Sequence, residues 1–245
     1  PVAIDFVAFM GEESVQQGSR HFAQHHASEY EFAIAAEPTS LNLVNVTKGA
    51  AWITLSAHGK AAHSSQPELG ENAIMILAKS LDMMNRKLTN RLATYQHPVL
   101  GHSTLNIGTI SGGTRPNIVP DYAEAQIDIR TTPALLENGG GVGITKAFIE
   151  EQNLPLTIKH THENPPMETC SDNPYIQKLL TSSPTSKCVG APWFSDAAHL
   201  SKAGIPSICA GPGSIDQAHT KDEWIKIQDL ENGVTFFSDF IKSFH

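Results

Sequence analysis

Among the 25 acidic residues and 12 histidines of this 245-residue sequence, four stand out because they follow apolar runs, and their types suit metal or acid–base chemistry. Glu12 and Glu13 come after Val2-Ala3-Ile4-Asp5-Phe6-Val7-Ala8-Phe9, and Glu37 after Phe32-Ala33-Ile34-Ala35-Ala36. His219 lies beyond Ile205 to Ala210 and the turn Gly211-Pro212-Gly213. Carboxylates and an imidazole are ligands that zinc, cobalt or manganese accept. Adjacent glutamates suit a division of labour, one binding an ion and the other moving protons. Each group alone has a plainer account: a solvated acidic turn for Glu12-Glu13, a loop histidine bonded to a carbonyl for His219. Their shared place beyond strand ends favours a site.

The elements that must position them follow from the same runs. A β-branched and aromatic run without polar alternation reads as a strand buried on both faces. Residues 2–9, 32–36 and 205–210 are therefore predicted as strands of a parallel-rich sheet. The acids then lie on its C-terminal rim, where open α/β sheets gather ligands. Ser14 to His26, with Val15, Phe22 and Ala23 at helical spacing, predicts the helix between the first two strands. Ser195 to Ala203 predicts a helix stopped by Gly204, and a closing amphipathic helix runs from about Ile227 to Phe244.

Between these parts the periodicity changes. Ala51, Ile53, Leu55 and Ala57 alternate with Trp52, Thr54 and Ser56, the pattern of a strand with one wet face. A helix from about Asn72 carries Ile74, Leu77, Leu81, Met84 and Leu88 at 3,4 spacing. Strands are predicted at 105–110 and 123–130, then a short helix through Phe148 and Ile149, then a strand marked by Leu154, Leu156 and Ile158. The order β-α-β-β-α-β over about 47–165 is that of a ferredoxin-like module. It predicts an α/β protein whose catalytic domain, 1–46 and 166–245, is interrupted by an inserted α+β domain.

Composition bounds the rest. With 40% hydrophobic and 17% charged residues the chain is of the globular class, and a net charge of −8 argues against nucleic acid or an anionic membrane as partner. No apolar run approaches the ~20 residues of a membrane helix. Cys170, Cys188 and Cys209 show no paired metal spacing, which predicts reduced thiols in a cytoplasmic protein. A chain that starts at Pro1 directly on an apolar run leads us to expect a further N-terminal portion in the native protein.

Six stretches, in order, resemble one family: Gly11-Glu12-Glu13, Ala36-Glu37-Pro38-Thr39, Gly59-Lys60-Ala61-Ala62-His63-Ser64, Gly112-Gly113-Thr114-Arg115-Pro116-Asn117, Asp128-Ile129-Arg130, and Gly211-Pro212-Gly213 with Gln217-Ala218-His219. They are similar to the acetylornithine deacetylase / succinyl-diaminopimelate desuccinylase family of di-zinc amidohydrolases, which also holds aminoacylases and related carboxypeptidases. The resemblance implies an α/β domain that binds two zinc ions per subunit, with cobalt or manganese as substitutes. It also implies an inserted ferredoxin-like lid that forms a homodimer.

Residue by residue, the resemblance implies Glu12 as general base and Glu13, Glu37 and His219 as metal ligands. His63 corresponds to the lid histidine that reaches a substrate across the dimer and stabilises its oxyanion. Asn117 would donate to the same oxyanion, Arg130 would pair with a substrate carboxylate, and Gly211 and Gly213 would line the substrate. An exposed loop histidine and a cross-strand ion pair are the plainer accounts of His63 and Arg130. The family's His-x-Asp motif and bridging aspartate precede the Glu-Glu pair and have no counterpart here, so this chain alone is expected to lack a complete two-metal centre. The implied activity is removal of an acyl group from an N-acyl amino acid in amino-acid biosynthesis, most like acetylornithine deacetylase. Desuccinylase or dipeptidase activity is the alternative within the enzyme class. A dimeric scaffold without a metal site is the alternative outside it.

Overall fold

Residues 3–218 and 220–244 are described in the structure, a computed structural model. They divide into two compact units, 1–48 with 165–245, and 49–164. In chain order the first unit supplies α1 (Gln17–His26), β1 (Ala33–Ala35) and β2 (Leu43–Thr47). The second supplies β3 (Gly49–His58), α2 (Ala73–Met83) continued by a π-helical turn (Met84–Leu88), α3 (Thr89–Leu92), and the short pair β4 (Gln96–His97) and β5 (Gly101–His102). Then come β6 (Thr104–Gly112), β7 (Tyr122–Thr131), α4 (Pro133–Glu137), α5 (Gly140–Glu151) and β8 (Thr157–Asn164). The chain returns to the first unit with β9 (Met167–Glu168), α6 (Pro174–Ser182), β10 (Cys188–Ala191), α7 (Ala197–Lys202), β11 (Ser207–Cys209) and α8 (Ile227–Lys242).

In the first unit the strand order is β1-β11-β2-β10, with β9 also on β2. β1 runs parallel to β11 and β2 parallel to β10, while β2 meets β11 and β9 antiparallel. Side-chain alternation sends Leu43 and Ile208 to one face, against Ile176 and Leu179 of α6 and Phe236 and Phe240 of α8. Val44 and Cys209 point the other way, against Ala197 and Ala198 of α7. A mixed sheet lies between helices, as the sequence predicts. The helix at 195–203 is shorter than expected, and Gly204, at φ +96°, ends it as a left-handed stop.

One predicted strand is missing. Residues 3–9 form no ladder; Phe6 is 95% exposed, and Ile4 and Val7 are also exposed. Pro1 and Val2 lie outside the described residues. A strand forms only where a neighbour satisfies its backbone N–H and C=O groups, and no described strand lies alongside this run. It is tethered at two points instead, by the Tyr30 hydroxyl donating to Asp5 (2.8 Å) and by the Phe9 ring 5.4 Å from that of Phe22.

The second unit is an antiparallel sheet in the order β6-β7-β3-β8 with helices on one face, the ferredoxin-like arrangement that its element order predicts. Ala51, Ile53, Leu55, Ala57, Ala123, Ala125, Ile127 and Ile129 are buried against Leu77, Leu81, Met84, Leu88 and Phe148. Asn72 caps α2, its side chain accepting from the Met75 N–H at 3.2 Å. Two local readings need correction. Ser56 is buried rather than wet, and the last strand starts at Thr157, so Leu154 and Leu156 pack on the core from the preceding loop.

Candidate active site

Glu37 stands just past β1. Its Oε1 accepts a hydrogen bond from Ser195 Oγ at 2.9 Å. Ser195 is fully buried just ahead of α7, and Cys209 of β11 lies within hydrogen-bond reach of it. Burial pushes the Cys209 thiol far above its ordinary range, and the Glu37 charge adds to this while the Ser195 hydrogen bond opposes it. Cys209 is therefore an inert thiol at neutral pH. All three cysteines are free. Next to Ser195, buried Asp196 accepts from Ser19 Oγ of α1. Burial raises its carboxyl above the usual carboxylate range, with the Ser19 hydrogen bond and the Arg20 charge partly opposing. The sequence reading missed Ser195 and Asp196; a Ser-Asp pair directly ahead of an apolar helix is a start signal that could have found them.

The glycines predicted to line a substrate have backbone work here. A Cβ on Gly211 would lie 2.7 Å from the Glu37 carbonyl oxygen, so only glycine lets this turn approach the end of β1. Gly213 has φ +81°, and its carbonyl accepts from the Ser40 N–H at 2.6 Å. The structure thus brings Glu37, Gly211 and Gly213 together. His219 lies outside the described residues.

Glu12 and Glu13 occupy a turn ahead of α1 rather than the end of a buried strand, and both are exposed. Gly11 starts the turn at φ +78°, and Gln16 closes it, its N–H donating to the Gly11 carbonyl at 2.8 Å and its side-chain amide to the Glu12 carbonyl at 2.7 Å. The expected rim position of this pair fails with the missing strand, since no strand among the described residues pairs with 3–8.

In the second unit, two loops far apart in sequence meet. His63 and Ile118 form an antiparallel bridge, Ser64 N–H donates to the Asn117 carbonyl (3.1 Å), and Val119 N–H to the Ala62 carbonyl (2.8 Å). His63 and Asn117 are both exposed. His63 Nδ1 accepts the Ser65 N–H at 3.2 Å and lies 2.8 Å from Ser65 Oγ. With Nδ1 accepting from the Ser65 N–H, a neutral ring carries its proton on Nε2, which is then a donor. The neighbouring cleft, ≈ 560 Å³, is lined by Ser64, Asn72, Gly113 and Arg115 among others. Arg130 is half-buried and held by Asp128 of the same strand at 3.0 Å, and Trp52 Nε1 donates to that same carboxylate oxygen. The ion pair is along one strand, not across two, and it engages the guanidinium that was expected to meet a substrate.

The side-chain chemistry of Glu13, Glu37 and His219 suits zinc, but no group of three or more metal-competent side chains comes together among the described residues.

Residues 45–136 match the family model of a peptidase dimerisation domain. The chain is 30% identical over 249 residues to an acetylornithine deacetylase from Vibrio atlanticus, covering 97% of this chain and 64% of that one. It is 32% identical over 250 residues to an acetylornithine deacetylase from Proteus mirabilis, covering 97% and 62%. The chain therefore spans less than two thirds of these relatives. Among solved structures it superposes on the aminopeptidase PepT of Bacillus cereus with a TM-score of 0.74, 21% identity, and coverage of 96% and 62%. It also superposes on an M20 family metallo-carboxypeptidase of Sulfolobus solfataricus with a TM-score of 0.71, 19% identity, and coverage of 95% and 68%. Sequence, dimerisation module and fold agree: the chain is similar to acetylornithine deacetylases, carries a stretch that matches a peptidase dimerisation domain, and shares the fold of M20 peptidase structures.

Proposed function

We propose that this chain is part of a metal-dependent amidohydrolase that releases the acyl group of an N-acyl amino acid, N-acetylornithine being the first candidate substrate. The observation that carries the reading is the backbone pairing of the loops that carry His63 and Asn117, two exposed residues whose side chains can both donate hydrogen bonds. Two such donors suit the oxyanion that forms when water adds to an amide carbonyl. Glu12 is proposed as the general base that takes the proton from that water and returns it to the leaving amine. Its exposed position in a turn leaves it reachable by substrate. Zinc is the proposed cofactor, with Glu13, Glu37 and His219 as candidate ligands. The fit to the described residues is incomplete, and no step above depends on the ion.

A homodimer is part of the reading. β6 is an edge strand with no ladder on its outer side among the described residues, and α2 exposes Met75. An unpaired edge strand beside a helix is a ready template for a second copy. The cytoplasm is the proposed location; no described helix is long and apolar enough to cross a membrane.

The test uses the full-length protein supplied with zinc and N-acetylornithine. Turnover by the parent, with a loss of roughly 10²-fold or more in Glu12→Gln at unchanged circular dichroism, is the expected outcome. No hydrolysis of acetylated, succinylated or dipeptide substrates would favour the scaffold reading instead. A Glu12→Gln variant as fast as the parent would remove the general-base role.

A further inference from the structure

We propose that His21 and His25 form a second, solvent-facing metal site on α1, a two-imidazole chelate for Cu²⁺, Ni²⁺ or Zn²⁺. The two residues are one helical turn apart (i, i+4) in α1, so their side chains project from the same face. Both are exposed, and their ring centroids are 4.4 Å apart with the planes tilted 45°. Two imidazoles on one ion at ~2.0–2.1 Å each place their nitrogens roughly 3 Å apart, within reach of this pair by side-chain rotation alone. The ion class follows from the donors. Imidazole suits copper, nickel and zinc, whereas calcium and magnesium require oxygen ligands.

The neighbouring histidine is not equivalent. His26 sits beside them in sequence, but its Nδ1 is 2.8 Å from the Glu29 carboxylate and its ring packs on Phe22 at 5.3 Å. His21 and His25 instead have each other as ring neighbours. Water completes the coordination, because no third metal-competent side chain joins them among the described residues. The site is thus an exchangeable one. The proposal is independent of the catalytic reading, since neither residue has a part in it.

The test is a calorimetric titration of the chain with Ni²⁺ alone, followed by the same titration of His21→Ala, His25→Ala and His26→Ala. Loss of one imidazole removes the chelate, so the first two variants are expected to bind this Ni²⁺ roughly 10²-fold more weakly. His26→Ala is expected to keep it. A further variant, His21→Ala with Gln24→His, holds the histidine count constant but places the pair at adjacent positions, which do not face each other. It is expected to lose the site while α1 stays helical by circular dichroism. The proposal is overturned if His21→Ala and His25→Ala bind as the parent does, if His26→Ala loses as much as they do, or if the count-preserving variant binds as the parent does.

Discussion

Residues 3–9 and 51–57 are equally long, comparably apolar stretches, yet the second is the central part of β3 and the first is an exposed, irregular segment. The difference lies in what surrounds them. β3 has β7 on one side and β8 on the other, so its backbone groups are satisfied along nearly its whole length. The run at 3–9 has no such neighbours among the described residues. Alternation along 51–57 encodes a half-covered sheet, whereas uniform apolarity only demands burial and does not say against what. A strand is a relation between segments, and its composition is only half of the information.

The largest effect that would sharpen this contrast is in the second unit's core. Ile127 on β7 is 2% exposed and packs in the cluster of Leu55, Leu77 and Phe148. Ile127→Ala is expected to cost about 2–5 kcal/mol in urea denaturation. A loss below about 1 kcal/mol would mean that the alternating face is not the stabilising one.

A middle-sized effect tests the buried acid beside α1. Asp196 has its folded-state pKa raised by burial, so its contribution to stability is fully present below the ordinary aspartate value and is lost as pH rises through the raised one. Asp196→Asn keeps an acceptor for Ser19 and removes the charge. It is expected to be more stable than the parent near neutral pH, with the advantage vanishing on acidification below the ordinary carboxylate range. Thermal melts of both proteins across pH 3 to 7 check the sign; an advantage that grows on acidification would refute it.

The smallest effect belongs to the exposed run. Phe6→Ser is expected to change stability by no more than about 0.5 kcal/mol, as for other surface positions. A cost of about 2 kcal/mol or more in the same denaturation experiment would show residues 3–9 to be packed in solution, and would restore them as a strand candidate.

Much of the second unit was legible because each element carries its own period. The 3,4 spacing from Ile74 to Leu88 marked a helical stretch, Asn72 marked its start, and the inward residues of 51–57 and 123–129 match the observed core. The first unit was less legible. β2, β10 and α6 have short or mixed patterns and were not anticipated. The Glu37–Ser195 hydrogen bond joins residues 158 positions apart, and no local rule relates them. Arg130 was recognisable as a cation able to bind a carboxylate, but its capture by Asp128 depends on rotamers on the open face of β7.

By itself the sequence determined the family resemblance, the class of fold, and the stock of side chains able to do chemistry, because motifs, apolar periodicity and residue type are local properties of the chain. Only the tertiary structure decided which of those side chains meet. It joined the His63 loop to the Asn117 loop through backbone pairing, and put Glu37 beside Gly211 through a close approach that a Cβ would block. It denied Glu12 and Glu13 the strand end that their preceding residues suggested. The physical reason is common to all three: hydrogen-bond partners and excluded volume come from segments distant in sequence, and no pattern within one segment names its neighbour.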